Sequence, residues 1–363
     1  MNKDYYCVIM AGGIGARFWP MSRTTRPKQF IDILGTGETL IQRTFNRFTK
    51  ICPKENILIV TNDLYEDMVK KQIPEVPENN ILLEPAMRNT APCIAYANYK
   101  IRALNPNAKI VVAPSDHMIL NEDLFIENIK AGLKAAEENN WLITLGIKPT
   151  RPDTGYGYIQ YDEKEKYDKN PRISKVKTFT EKPNHELAEK FLESGDFLWN
   201  AGIFVWSLKS INEAFEEHLD DVDDLFKEGE GKYNTPAEQP FIEETYTVCR
   251  KISIDYGIME KASNVYVVAA DFGWSDLGTW GSLYDISDKD ENNNAVAGEN
   301  VLLYDTKNSL VRMPKDKLVV LQGLDDYIVV EDDNALLVCR KENEQQIRQF
   351  VNDIKAKKGE DYI

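Results

Sequence analysis

Tyr5-Tyr6-Cys7-Val8-Ile9-Met10-Ala11-Gly12-Gly13-Ile14-Gly15-Ala16-Arg17 is a short apolar run that breaks into closely spaced glycines and then an arginine. The run Tyr5–Ala11 reads as a buried strand, and the glycines mark where the backbone turns out of it. Further apolar β-type runs follow at Ile57–Thr61, Asn80–Glu84, Lys109–Ala113 and Trp141–Gly146. Segments at helical spacing separate them, such as Leu40, Ile41, Thr44, Phe45 and Phe48. This alternation predicts an α/β fold: a Rossmann-like, mostly parallel sheet flanked by helices on both faces, because right-handed crossovers place them there. Ligands in such sheets sit beyond the carboxyl ends of the strands, so the segments after each run are the places to search for chemistry.

The pattern becomes mixed from Gly155 to about Asp271, with a hairpin expected at Gly157–Gln160 and strands at Ile173–Glu181 and Gly202–Trp206. An acidic, Asn-rich connector, Asp288–Asn294, leads to short β runs at Val301–Tyr304, Lys317–Leu321, Tyr327–Glu331 and Ala335–Cys339. A final helix carries Ile347, Phe350, Val351 and Ile354 on one face. The expected organisation is one large domain over residues 1–291 and a small C-terminal β domain with its helix over 292–363. The even strand spacing leaves a partial β-helix or a β-roll open. Apolar β edges need covering, so a homodimer through the C-terminal domain is a further expectation.

A chain of 363 residues with 42% hydrophobic residues can bury a sizeable core. Its formal charge of -15 repels nucleic acid and anionic membranes, and any phosphate ligand must be met by local positive charge. The 5 cysteines include no Cys-x-x-Cys pair, which indicates neither a disulfide framework nor a zinc site. With no signal-like leader and no bilayer-length apolar stretch, a cytoplasmic location is expected.

The segment after the first strand supplies that positive charge. A dinucleotide fingerprint would need glycine at position 18, which is Phe18, and a P-loop would need a Gly-Lys-Ser/Thr triplet, which does not follow Arg17. Both patterns fail, yet phosphate chemistry remains. Gly12, Gly13 and Gly15 let backbone N–H groups approach phosphate oxygens, and Tyr5 to Ile31 carries Arg17, Arg23, Arg26 and Lys28 with no acidic residue. The plainer alternative is a solvated turn whose arginines pair with nearby carboxylates.

Gly12-Gly-x-Gly-x-Arg17…Pro27-Lys28 resembles the signature of the sugar-nucleotide pyrophosphorylases. The fuller run Arg17-Phe-Trp-Pro-x-Ser-Arg23…Pro27-Lys28-Gln29-Phe30 resembles their mannose-1-phosphate guanylyltransferase branch. Further matches follow in order at Glu84-Pro-x-x-Arg88-Asn-Thr-Ala-Pro92, Pro114-Ser-Asp-His117, Glu181-Lys-Pro183, Asn200-Ala-Gly-Ile-Phe-Val-Trp206, Ser253-Ile-Asp-Tyr-Gly-Ile-Met-Glu-Lys261 and Trp274-Ser-Asp-Leu-Gly-Thr-Trp280. The resemblance covers nearly the whole chain. It implies a nucleotide-diphospho-sugar transferase fold and the reaction of GTP with mannose 1-phosphate to give GDP-mannose and pyrophosphate. A sugar phosphate is largely dianionic near neutral pH, so no protein general base is needed. The site must bring two anions together in line and neutralise the leaving pyrophosphate.

The resemblance implies catalytic roles for Arg17 on the β- and γ-phosphates, for Lys28 near the α-phosphate and for Asp116. It places the nucleotide on Ala11, Gly12, Gly13, Gly15, Arg17, Lys28, Glu84, Asn89 and Asp116, and Mg2+ on Asp116 and Asp276. For Asp116 a helix N-cap is the alternative. His117 is a weaker metal candidate, since magnesium prefers oxygen, and Arg23 and Arg26 stand open between ligand contact and loop bracing. A Glu84 carboxylate accepts two hydrogen bonds and matches the N1–H and N2–H₂ edge of guanine, with an Arg88 salt bridge as its alternative. For the sugar phosphate, Gly157 would allow close approach, Glu181 and Asn200 would meet hydroxyls and Lys182 the phosphate. Asp255 is a secondary candidate, with support of a helix start as its plainer role, and Trp199, Trp206, Trp274 and Trp280 read as packing. Competing readings are a pyrophosphorylase for a heptose or glucose 1-phosphate and a non-catalytic nucleotide-sugar sensor. About seventy residues follow Asn292, too few for an isomerase-type barrel, so phosphomannose isomerase activity is not expected.

Overall fold

The computed structural model describes residues 1–363, which divide into two compact units. The first comprises Met1–Gly12, Gln42–Ser115 and Ile119–Trp274; the second comprises Gly13–Ile41, Asp116–Met118 and Ser275–Ile363.

The first unit is built on strands β1 (Tyr5–Met10), β2 (Ile57–Asn62), β3 (Ile81–Glu84), β4 (Lys109–Pro114), β5 (Leu142–Ile147), β6 (Tyr158–Tyr167), β7 (Asn170–Thr180), β8 (Phe197–Ser207) and β9 (Val265–Ala270). They form one nine-stranded sheet in the order β3-β2-β1-β4-β8-β5-β9-β7-β6. Pairings β1 with β2, β1 with β4, β2 with β3 and β5 with β9 are parallel, as the alternating sequence predicts. Strand β8 inserts antiparallel between β4 and β5, and β7 runs antiparallel to β9 and β6, so the whole sheet is mixed. The hairpin expected at Gly157–Gln160 is the start of the longer β6–β7 pair, and β9 has no counterpart in the sequence reading.

Strands buried on both faces need continuous apolar sequence, and Ile57–Asn62 and Leu142–Ile147 are buried at every position. Helix α1 (Thr90–Leu104) is likewise buried along most of its length. The main core includes Val8, Leu58, Tyr96, Ile110, Phe204, Trp206 and Tyr246. An ion pair is buried in this layer: the Lys100 Nζ donates to both Glu238 oxygens at 2.7 and 2.6 Å, and the Tyr96 hydroxyl also donates to Oε1 at 2.6 Å.

The second unit holds short strands β10 (Ala295–Ala297), β11 (Val301–Tyr304), β12 (Leu310–Arg312), β13 (Val319–Gln322), β14 (Tyr327–Asp332) and β15 (Ala335–Arg340). Parallel pairing of β10 with β12, β12 with β14 and β11 with β13 stacks successive turns of chain, which resolves the open alternative as a β-helix coil. Asn293, Asp305, Asn308, Asp326 and Asp333 have φ between 49° and 67°, a left-handed conformation that short Asn and Asp side chains tolerate. The Asn294 amide donates to the Thr306 carbonyl at 2.9 Å and accepts from the Ser309 N–H at 3.1 Å, tying one turn to the next. Helices α2 (Trp280–Ile286) and α3 (Ile347–Lys358) contribute Trp280, Leu283, Ile347 and Phe350 to a core shared with Phe18, Trp19 and Ile33.

Removing one partner of a buried ion pair leaves the other charge unsatisfied, at a cost of about 3–5 kcal/mol. Lys100→Met is expected to lose that much stability in urea denaturation, and a loss below about 1 kcal/mol would contradict the role given to the pair.

Candidate active site

In the second unit the glycine-arginine loop is organised around Lys28. This lysine is 3% exposed. Its Nζ donates to the carbonyls of Asp276 at 2.8 Å and Leu277 at 2.9 Å, and it pairs with Asp116 Oδ2 at 2.8 Å. The loop is shaped to let it in. Gly15 has φ 71°, and a Cβ there would lie 2.5 Å from the Lys28 Cβ, so both conformation and space call for glycine. Leu277 adopts φ 45°, a costly conformation for a branched residue, while its carbonyl accepts from Lys28.

Burial pushes the Asp116 carboxyl up, but the charges of Lys28 and His117 outweigh it and hold the group below the usual carboxylate range. Asp116 is therefore an anion at neutral pH. The helix-cap alternative does not apply to it, since Asn121 caps Glu122–Glu138 by accepting from the Leu124 N–H at 3.1 Å. Asp276 Oδ1 accepts from the Gly278 N–H at 2.9 Å, and a Cβ at 278 would lie 2.5 Å from Asp276 Oδ2, so a side chain there would shift that carboxylate. Asp116 and Asp276 offer hard oxygen donors, and the chain has no group of three or more His, Cys, Asp or Glu placed to cage a metal. The donor chemistry fits a divalent cation that takes its remaining ligands from phosphate and water.

The loop's arginines differ in their surroundings. Arg23 is 7% exposed and donates to the Asn334 side chain at 2.8 Å, the Asp332 carbonyl at 3.0 Å and the Pro20 carbonyl at 3.2 Å. Arg26 donates to the Met21 carbonyl at 3.1 Å and pairs with the Asp332 carboxylate. Both brace the loop. Arg17 instead faces two residues the sequence reading missed: Glu344, whose carboxylate accepts from the Gly281 N–H at 2.7 Å, and Arg348, which burial and the Arg17 charge both push down. They lie more than three hundred positions away in sequence, so no local pattern could have signalled them.

In the first unit, Ala11 ends the strand run buried, donating to the Val60 carbonyl at 2.7 Å, and Gly12 passes beside the Glu84 carboxylate. Glu84 closes β3 and is 7% exposed. Its Oε1 accepts from the Tyr246 hydroxyl at 2.8 Å, and burial pushes its pKa up to about 7 against the lowering effect of that bond. The Arg88 alternative is not what forms, because that guanidinium donates to the Tyr246 carbonyl at 3.0 Å and the Thr247 carbonyl at 3.3 Å. Asn89 is the N-cap of α1 and accepts from the Thr90 N–H at 2.9 Å. Its exposed side chain is not drawn into the Glu84 group.

Also in the first unit, Gly157, Glu181, Lys182, Asn200 and Asp255 come together. A Cβ on Gly157 would collide with Glu181 Oε2, and Lys182 Nζ pairs with Glu181 Oε1. Asn200 lies inside β8 rather than at its head; its oxygen accepts from Thr144 Oγ1 at 2.9 Å, and its amide donates to Asp255 Oδ1 at 2.8 Å. Burial, with the nearby Glu181 charge, pushes Asp255 up to about 7. Asp255 does begin a helical turn, Asp255–Met259, as its plainer reading expects. Trp199, Trp206 and Trp280 are buried, as packing predicts.

A strand leading into a glycine loop, a buried lysine on an ionised aspartate and an arginine set beside Glu344 and Arg348 define a nucleotide-handling α/β transferase. Residues 6–293 match the family model described as nucleotidyl transferase, and residues 298–354 match that of the MannoseP isomerase/GMP-like beta-helix domain. A mannose-1-phosphate guanylyltransferase of Escherichia coli is 33% identical over 361 residues, covering 98% of this chain and 76% of its own length. One from Salmonella montevideo is 35% identical over 364 residues, covering 98% and 75%. A solved structure from Thermus thermophilus, described as a mannose-1-phosphate geranyltransferase, superposes with a TM-score of 0.86 at 30% identity, covering 97% of this chain and 99% of that one. The chain belongs to the nucleotidyl transferase family, and within it to the mannose-1-phosphate guanylyltransferases.

Hydrogen bonds from a charged donor contribute about 1.5–3 kcal/mol each. Arg23→Ala is therefore expected to lower stability by about 2–4 kcal/mol in chemical denaturation, and a change within about 0.5 kcal/mol would contradict the bracing role.

Proposed function

We propose that the chain transfers GMP from GTP to α-D-mannose 1-phosphate, giving GDP-mannose and pyrophosphate. An oxygen of the sugar phosphate attacks the α-phosphorus, the bond from that phosphorus to the bridging oxygen breaks, and its electron pair leaves with pyrophosphate. The observation that carries this reading is the buried Lys28 held on ionised Asp116 at the end of the glycine loop. That arrangement holds an ammonium and a carboxylate in fixed positions, so that once a metal engages Asp116 the lysine can turn its charge to the α-phosphate with little reorganisation during reaction.

Arg17 reaches the β- and γ-phosphates, where a planar fork suits two oxygens, while the backbone at Gly12, Gly13 and Gly15 approaches the phosphates closely. Asp116 and Asp276 would hold Mg2+, which when bound supplies neutralising charge to the triphosphate. Glu84 meets the guanine N1–H and N2–H₂ donors, and Asn89 of the same motif contributes a further nucleotide contact. Gly157, Glu181, Lys182 and Asn200 receive the sugar phosphate, and the preference for mannose follows the named relatives. These substrates support a cytoplasmic location. We further infer a catalytic region over 1–291 and a small β domain over 292–363, with a homodimer formed through that small domain. The outward Leu302, Tyr304 and Val320 side chains there, 47%, 54% and 56% exposed, support the latter.

The reading is tested by following magnesium-dependent pyrophosphate release while crossing the four common nucleoside triphosphates with several sugar 1-phosphates. GTP with mannose 1-phosphate should give the highest kcat/KM; a heptose or glucose 1-phosphate giving a higher value, or saturable binding without turnover, would overturn it. Lys28→Ala should lower kcat by about 10²–10³-fold. Glu84→Gln should lower the GTP preference by about tenfold, since one of its two acceptors becomes a donor, and unchanged selectivity would sink the base assignment.

A further inference from the structure

Glu84 is a buried carboxylate without a cation. It forms no salt bridge, and its one hydrogen bond is the 2.8 Å contact from the Tyr246 hydroxyl to Oε1. Oε2 lies beside Gly12, where an added Cβ would sit 3.4 Å away, and receives no protein donor. Water is the donor left to this oxygen in the free protein, and a ligand that displaces the water must bring donors of its own. Tyr246 reaches it from the helix Glu238–Val248 and is itself 1% exposed, so its hydroxyl has no access to bulk water as an alternative partner. The other titratable groups that face Glu84 are Cys93 and Tyr96 of α1, both pushed up and uncharged at neutral pH.

We propose that Tyr246 is the positioning residue for base selection: by donating to Oε1 it keeps Glu84 an all-acceptor group whose free oxygen is aimed at the donor edge of guanine. This inference rests on the reading that Glu84 receives the base. Each carboxylate oxygen has two lone pairs, so Oε1 still accepts a second donor while it holds Tyr246. The protonation state of Glu84 decides what the group can recognise. As an anion it offers two acceptors, which suit guanine N1–H and N2–H₂. As a neutral acid it offers one donor and one acceptor, which suit adenine, with its N1 acceptor and N6–H₂ donor. Burial pushes the Glu84 pKa up to about 7 and the Tyr246 bond opposes the rise, so losing that bond moves the group toward the neutral, adenine-compatible form.

The test is kcat/KM for GTP and for ATP, each with mannose 1-phosphate and magnesium, across pH 6 to about 8.5, for the wild type, Tyr246→Phe and Glu84→Gln. The wild-type GTP-over-ATP ratio should rise with pH through the neutral range. Tyr246→Phe should move that rise to higher pH and lower the ratio at pH 7 by about tenfold, the effect of one pKa unit, with KM for mannose 1-phosphate unchanged. A ratio and midpoint equal to the wild type in Tyr246→Phe would overturn the proposal. If Glu84→Gln also keeps full GTP preference, the base assignment itself has failed; if only Glu84→Gln loses it, the assignment stands and the role of Tyr246 falls. Should Tyr246→Phe not fold, 3-fluorotyrosine at 246, a stronger donor of nearly the same shape, should move the midpoint to lower pH, and an unmoved midpoint would overturn the inference.

Discussion

Burying the Lys28 ammonium is the constraint on which the second unit depends. Taking an isolated cation out of water costs several kcal/mol, and only a full set of acceptors offsets it. Those acceptors are the Asp116 carboxylate and the carbonyls of Asp276 and Leu277. Supplying them dictates neighbouring residues: glycine at 15, where Lys28 leaves no room for a Cβ, and a left-handed backbone at 277. The strain at Leu277 is sustained because its side chain is fully buried in the core with Phe18 and Trp280. Asp116 gains in return, since the ammonium beside it keeps it ionised despite its surroundings.

Net charge and local charge therefore act on different scales. A chain of -15 carries a loop of four cations without an acid among them, yet three of those four are committed to protein acceptors. Arg23 and Arg26 fasten the loop to residues near 332 and Trp19 donates from its indole to the Tyr362 carbonyl at 2.7 Å. Arg17 alone is set among other charged groups, Glu344 and Arg348, rather than tied to a carbonyl. Arg17 and Arg348 repel each other, which together with burial pushes the Arg348 guanidinium down.

What could be read from sequence follows from how local each signal is. The runs around Ile57, Lys109 and Leu142 were legible because a strand buried on both faces must be continuously apolar, whatever its partners. The antiparallel insertion of β8 was not, because it depends on pairing with residues some ninety positions away, such as Val111 with Val205. β9 was overlooked although Val265-Tyr-Val-Val268 is a β-type run, and the coil turned on single Asn and Asp residues, of which only Asn293 falls in the acidic connector. In the site, glycines and cations announced themselves by type and spacing. Tyr246, 162 positions from Glu84, carries no such mark, since an apolar helix face with a tyrosine is ordinarily core.

Three carboxylates show how one fold sets one chemical group to different ends. Asp116 is half-buried beside an ammonium and stays an anion. Glu84 has only a phenol, and at Asp255 the Glu181 charge opposes the help of Lys182 and the Asn200 amide; burial wins at both, and their pKa values rise to about 7. A group committed to charge binding must not lose its proton balance when substrate arrives, and the lysine ensures this. A group that selects a neutral hydrogen-bonding partner needs the opposite: an unmet demand for donors, which the right ligand satisfies and a wrong one leaves standing. The free energy that discriminates between ligands is then the cost of that unmet demand, and it grows with burial.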